Sequence, residues 1–175
     1  MQFAKDSVYL ALRERLAALD PARTVVVNGV ERPAILVAEN EPVNAAPPLP
    51  NAYYLAWGAP QIVAGSESCA APLIKMECRI GYRAAGTLAC GVDRGRALAG
   101  LDAELLRLLT PPRTAKLDCA QTPAAAQGTF VFWGTPEFED ARPAAAAAGF
   151  ARAGEQDALT RKARLAVFYF PEVQE

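Results

Sequence analysis

The chain has 175 residues, 52% hydrophobic and 21% charged, with a formal net charge of −1. That length suits one domain with a proper core, and the near-neutral balance excludes a global electrostatic pull on DNA or an acidic membrane. Histidine is absent, which rules out Ser–His–Asp and Cys–His catalysis and removes the commonest metal-binding side chain.

The first element is a helix. In "DSVYLALRERLAALDP", Val8, Leu12, Leu16 and Leu19 recur at helical spacing and form one apolar stripe. Asp6 or Ser7 is the expected cap, and Pro21 the expected stop. Charged residues interrupt this N-terminal stretch every few positions, so it has no leader-like apolar run. A soluble, intracellular protein with reduced thiols is the expectation.

"TVVVNGVERPAILVAENEP" predicts two strands around Asn28-Gly29, a dipeptide suited to the positive φ of a hairpin turn. Pro33 points to an edge or a bulge. The proline-rich "NAAPPLPN" (44–51) is a loop. "AYYLAWGAPQIVAG" resumes as a strand, and "SESCAAP" is another loop.

In "LIKMECRIGYR" (73–83), Ile74, Met76, Cys78, Ile80 and Tyr82 alternate with Lys75, Glu77, Arg79, Gly81 and Arg83. This predicts a strand with one face in a core and the other charged. The charged face is either simply wet or meets another chain.

The second helix is the clearest element. "DRGRALAGLDAELLRLLTPP" places Leu98, Leu101, Leu105 and Leu108 on one stripe, with Asp93 as a cap and Pro111-Pro112 as the stop. Two helices with single stripes want a sheet to lie on. "DCAQTPAAAQG" reads as a soft stretch before the strand "TFVFWG". Residues 135–162, alanine-rich and weakly patterned, read as an excursion from the domain. "ARLAVFYFPE" closes the chain with Leu165, Val167 and Tyr169 on one side and Ala166, Phe168 and Phe170 on the other. A strand apolar on both faces is either covered twice or meets a partner. The fold expected is a single α+β domain over 1–175, a mostly antiparallel β-meander with two amphipathic helices packed on it and long Pro/Ala-rich loops.

Cys69, Cys78, Cys90 and Cys119 contain no CxxC, so neither zinc nor a redox pair is expected. There is no GxxxxGK[ST] and no GxGxxG, and "GSES" is no nucleophile elbow. Glu137, Glu139 and Asp140 could hold a divalent cation or supply an acid, but read first as a solvated loop. "FVFWG" and "AYYLAWG" could stack bases, yet no basic run is interleaved, so core packing is the expectation. Neither catalysis nor a cofactor is expected.

The order of elements carried by "SVYLALRERLAAL", "IKMECRIGYRAAG", "DRGRALAGLDAELLRLL" and "ARLAVFYFPE" resembles the tail terminator (tail completion) proteins of long-tailed phages and phage-like particles. These stretches cover roughly half the chain, and the likeness is one of element order, with no residue-level motif to carry over. The resemblance implies a virion protein of the tail or neck, assembled in the host cytoplasm. It implies a homo-oligomeric ring, a hexamer, that caps the tail tube and meets the tube protein and the head–tail connector. No membrane and no direct sequence-specific nucleic-acid contact is implied. A closed ring needs a heterologous interface. The interface candidates are Lys75, Glu77, Arg79, Arg83, Phe168 and Phe170. Two other readings stay open: another neck, connector or tube subunit, and a small-ligand binding α+β module.

Overall fold

The computed structural model describes residues 1–38, 49–63, 72–85, 92–140 and 158–171. The chain is α+β. Helix α1 (Gln2–Leu19) and helix α2 (Asp93–Leu108) pack on a curled, mostly antiparallel sheet. The strands are β1 (Thr24–Val27), β2 (Val30–Pro33), β3 (Ile35–Val37), β4 (Tyr53–Trp57), β5 (Gln61–Ile62), β6 (Ile74–Ala85), β7 (Arg113–Asp118), β8 (Ala125–Trp133), β9 (Glu137–Asp140) and β10 (Ala158–Tyr169). The main sheet runs β3-β4-β6-β10-β8-β7, with β5 on β6 and β9 on β10, and β1-β2 form a separate ribbon. Its strands do not follow chain order as a meander would: β10 lies between β6 and β8, and β3 runs parallel to β4.

Two strands of twelve residues form the spine. β6 and β10 pair antiparallel from Ala158↔Ala85 to Tyr169↔Ile74. Because side chains alternate, this register puts Met76, Cys78, Ile80 and Tyr82 on the same face as Ala163, Leu165, Val167 and Tyr169, all buried. Both helices lie on that face. Leu98, Leu101, Leu105 and Leu108 of α2 and Val8, Leu12 and Leu16 of α1 join the same core. Each such leucine contributes roughly 1.5–3 kcal/mol of transfer free energy, so the α2 stripe alone outweighs the modest propensity cost of its two glycines.

The sequence reading holds for both helical stripes, except that Leu19 ends up 44% exposed in the last turn of α1. The caps differ. α1 starts at Gln2, so Ser7 lies inside it. There its hydroxyl donates to the Phe3 carbonyl and accepts the Leu117 N–H of β7 (2.8 Å). The residue that looked like a cap is the peg that fixes α1 on the sheet edge. α2 has Val92 at its N-cap and Asp93 as its first residue, where a carboxylate still favours the helix dipole.

Arg15 joins four elements. Its guanidinium donates to the carbonyls of Leu108 (2.7 Å), Pro111 (3.0 Å) and Arg113 (2.9 Å) and lies 5.3 Å from the Trp133 ring centroid. It thereby satisfies the free carbonyl of Leu108 at the end of α2 and two carbonyls on the way into β7. Lys116, facing inward from β7, is buried and donates to the Phe170 carbonyl (2.8 Å), pinning the chain just beyond β10.

The Asn28-Gly29 turn is as expected, with both residues at positive φ (53° and 77°), and Pro33 closes β2 at the end of the ribbon. "AYYLAWGAPQIVAG" is two strands, because Gly58-Ala59-Pro60 interrupts it. The predicted excursion over 135–162 is corrected at both ends. Glu137–Asp140 is β9, and 158–162 belong to β10. Its middle lies outside the described residues, as do Cys69, Cys90, "GSES" and most of the proline-rich loop. The strand Arg113–Asp118 was not anticipated, and β8 begins earlier than "TFVFWG".

Candidate functional site

The face of the main sheet turned away from the helices is the candidate surface. Lys75, Glu77, Arg79 and Arg83 point there from β6, as their alternation predicts, and Lys162, Arg164, Ala166 and Phe168 point there from β10. Neither helix covers this face. It divides into a charged end and an aromatic end.

At the charged end, the register sets Arg79 directly opposite Arg164. Like charges in that position repel, and a carboxylate relieves each. Glu77 accepts from Arg79 Nε (2.5 Å), and Glu139 of β9 pairs with Arg164. The hydrogen bond from Arg79 holds the Glu77 carboxyl below its usual range. β9 also sets Glu137 opposite Arg164 and Glu139 opposite Lys162. Of the carboxylates read as a solvated loop or a cation site, Glu139 is therefore in an ion pair with β10 and Glu137 lies opposite Arg164 in register, so charged side chains meet across three strands. Among the described residues, no group of three His, Cys, Asp or Glu side chains could hold a metal ion. Arg83 is less available than its neighbours: it is half-buried, with Nε shielded from solvent and without a hydrogen bond.

The aromatic end is built from β8 and β10. "FVFWG" splits by parity. Val131 and Trp133 are buried, whereas Phe130 and Phe132 are 54% and 36% exposed. The expectation of core packing holds for only half of this strand. Phe132 stacks on Phe168 (centroids 5.5 Å apart, 13° between planes), and Phe170, 37% exposed, follows at the end of β10. Arg113 of β7 lies 5.5 Å from the Phe130 centroid. A depression of about 500 Å³ is lined by Arg113, Gly128, Thr129, Phe130, Phe132 and Phe170. So among the described residues β10 is central in the sheet but covered on one side only.

Of the residues singled out in the sequence, Lys75, Glu77, Arg79 and Phe168 come together on this face, with Phe170 at its rim and Arg83 partly withdrawn. Sequence reasoning missed Arg113, Phe130, Phe132, Lys162 and Arg164. Alternation within "TRKARLAVFYF" could have found Lys162 and Arg164, but β7 and its Arg113 gave no pattern to read. The face's cations outnumber its carboxylates, although the whole chain is at −1.

The opposite face is a packed core. Tyr53, Leu55, Met76, Ile80, Leu101 and Leu105 fill the space between sheet and helices. Tyr53 donates to the Leu101 carbonyl (2.7 Å) and lies 3.0 Å from Glu104, and Tyr82 donates to Asp102 (2.5 Å). Arg161 donates to Asp102 as well (2.8 Å). These polar groups anchor α2 to the sheet. Among the described residues, no helix is long and apolar enough to cross a membrane. Neither protein-family models nor curated proteins give a match to this chain.

Proposed function

We propose that this chain is a structural subunit that acts through its open sheet face. In this reading it assembles with copies of itself into a ring, and the ring joins a tail tube to a connector, as the tail-terminator resemblance implies. The observation that carries the reading is the lattice of Arg79, Arg164, Glu77 and Glu139 on a face that neither helix covers. A protein that needed only a wet sheet face would gain nothing from setting two arginines opposite each other. Local rules broken in this way tend to mark functional surface. Interspersed charges of both signs on a flat face fix register and reject wrong partners more than they add raw affinity. Arg164 replaces Arg83 as the partner of Arg79 in this surface, because Arg83 is partly withdrawn.

Light scattering on purified protein and negative-stain images test the proposal. The expected result is a ring whose mass is a multiple of the protomer's. Arg79→Glu with Arg164→Glu should convert it to monomer without changing the circular dichroism spectrum. A wild-type protein that stays monomeric at every concentration, and inside no particle, ends the proposal.

A further inference from the structure

The aromatic end of the open face has its own chemistry. The cross-strand register places Lys75, Phe168, Phe132 and Arg113 in one row over four adjacent strands, β6, β10, β8 and β7. Phe130 and Phe170 flank that row, and a depression of about 500 Å³ opens among the rings. Lys75 and Arg113 are in no ion pair among the described residues. Of the carboxylates of this face, Glu137 and Glu139 sit toward its other end, and Glu77, the next residue on this face of β6 after Lys75, is paired with Arg79.

We propose that this row is a sequence-tolerant binding site for single-stranded nucleic acid. A nucleotide offers a flat π face and a phosphate, and the row offers the exposed Phe132 ring stacked on the half-buried Phe168, with a cation at each end. Strands lie about 4.8 Å apart, so the backbones carrying Lys75 and Arg113 are on the order of 14 Å apart. That reach suits two or three nucleotides laid across the strands, bases on the phenylalanines and phosphates toward the cations. A duplex does not fit, because its base faces are stacked away. The open face of a second copy does not fit either, since it would bring the same excess of positive charge. The interleaving of aromatic and basic residues that is missing along the sequence is supplied by strand order. This site lies beside the charged lattice proposed for the ring, Lys75 being two residues from Glu77 on the same face of β6.

Fluorescence anisotropy of labelled dT10 with the full chain tests this. Saturable binding is expected, with dA10 competing about equally and blunt duplex competing poorly. Two phosphate contacts predict a slope of roughly −1.4 for log affinity against log salt. Phe132→Ala and Phe168→Ala should each weaken binding about 5- to 100-fold. Arg113→Gln should lower the slope to roughly −0.7, while Arg107→Gln, on the exposed side of α2, changes nothing. Three results each overturn the site: no binding at tens of micromolar, binding indifferent to the phenylalanines, or phenylalanine variants that alter oligomer mass but not dT10 affinity. The last would make the row a contact between copies. Loss of the ring with dT10 binding intact would instead strike the ring proposal alone.

Discussion

Tyr53 and Tyr82 carry their hydroxyls into the seam between the sheet and α2, with rings edge to face at 5.2 Å. Burial first, and then Glu104 beside Tyr53 and Asp102 beside Tyr82, holds both phenols protonated well above the ordinary tyrosine range. Below about pH 10, folded and unfolded chains both keep these protons, and the two groups leave stability unchanged with pH. Above it the unfolded chain releases protons that the fold retains, so stability falls by about 1.4 kcal/mol per pH unit for each tyrosine. Urea midpoints measured from pH 8 to 11.5 should be flat for these groups and then drop steeply. Tyr53→Phe with Tyr82→Phe should lower the starting stability by about 1–3 kcal/mol for the lost hydrogen bonds and make the alkaline limb shallower. A limb of unchanged steepness in the double variant would show that other groups drive it.

Among the elements, Arg15 is the joint on which α1, the end of α2, β7 and β8 depend together. Arg15→Met keeps the stem but leaves three carbonyls without this donor, and should cost about 2–4 kcal/mol in urea unfolding. Arg15→Lys should recover only part, because a point ammonium cannot reach three acceptors as a planar fork does. If Lys proves as good as Arg, the three hydrogen bonds matter less than the packing of the half-buried stem. Arg15 also shows where sequence reading stops. The stripes of α1 and α2, the Asn28-Gly29 turn and the alternation in 73–83 were all legible, since each is a local period or a turn requirement. β7 and β9 were not. "RTAKLD" puts a lysine inward, where the Phe170 carbonyl receives it, and "EFED" is polar because arginines of β10 answer it. β9 becomes a strand by pairing with β10, and β7 by its hairpin with β8 and the bond from Lys116 to the Phe170 carbonyl, neither of which the residues of the strand itself record. The exposure of Phe130 and Phe132 was hidden for the same reason, because a sheet's covered side is decided by where its helices land.

For the whole molecule, the distribution of charge bears on how copies meet. The open face is positive on balance, while the chain as a whole is slightly negative, so the remaining surface holds the compensating carboxylates. Two copies joined open face to open face would bring like charge together. A copy that sets its open face against a different surface of its neighbour would not. The second arrangement is heterologous, and heterologous contacts close into rings when the rotation permits. Association held by such charges weakens with salt, since the screening length falls from about 10 Å at 0.1 M to about 3 Å at 1 M. Mass photometry across that range should therefore show rings at low salt giving way to monomer at high salt, while the circular dichroism spectrum stays unchanged. The Arg79→Glu, Arg164→Glu protein should be monomeric throughout, because reversal removes the excess positive charge and breaks both ion pairs. If rings instead persist or strengthen at 1 M salt, apolar contact dominates the interface. The exposed phenylalanines would then be its centre, and the charged lattice only a register at the rim.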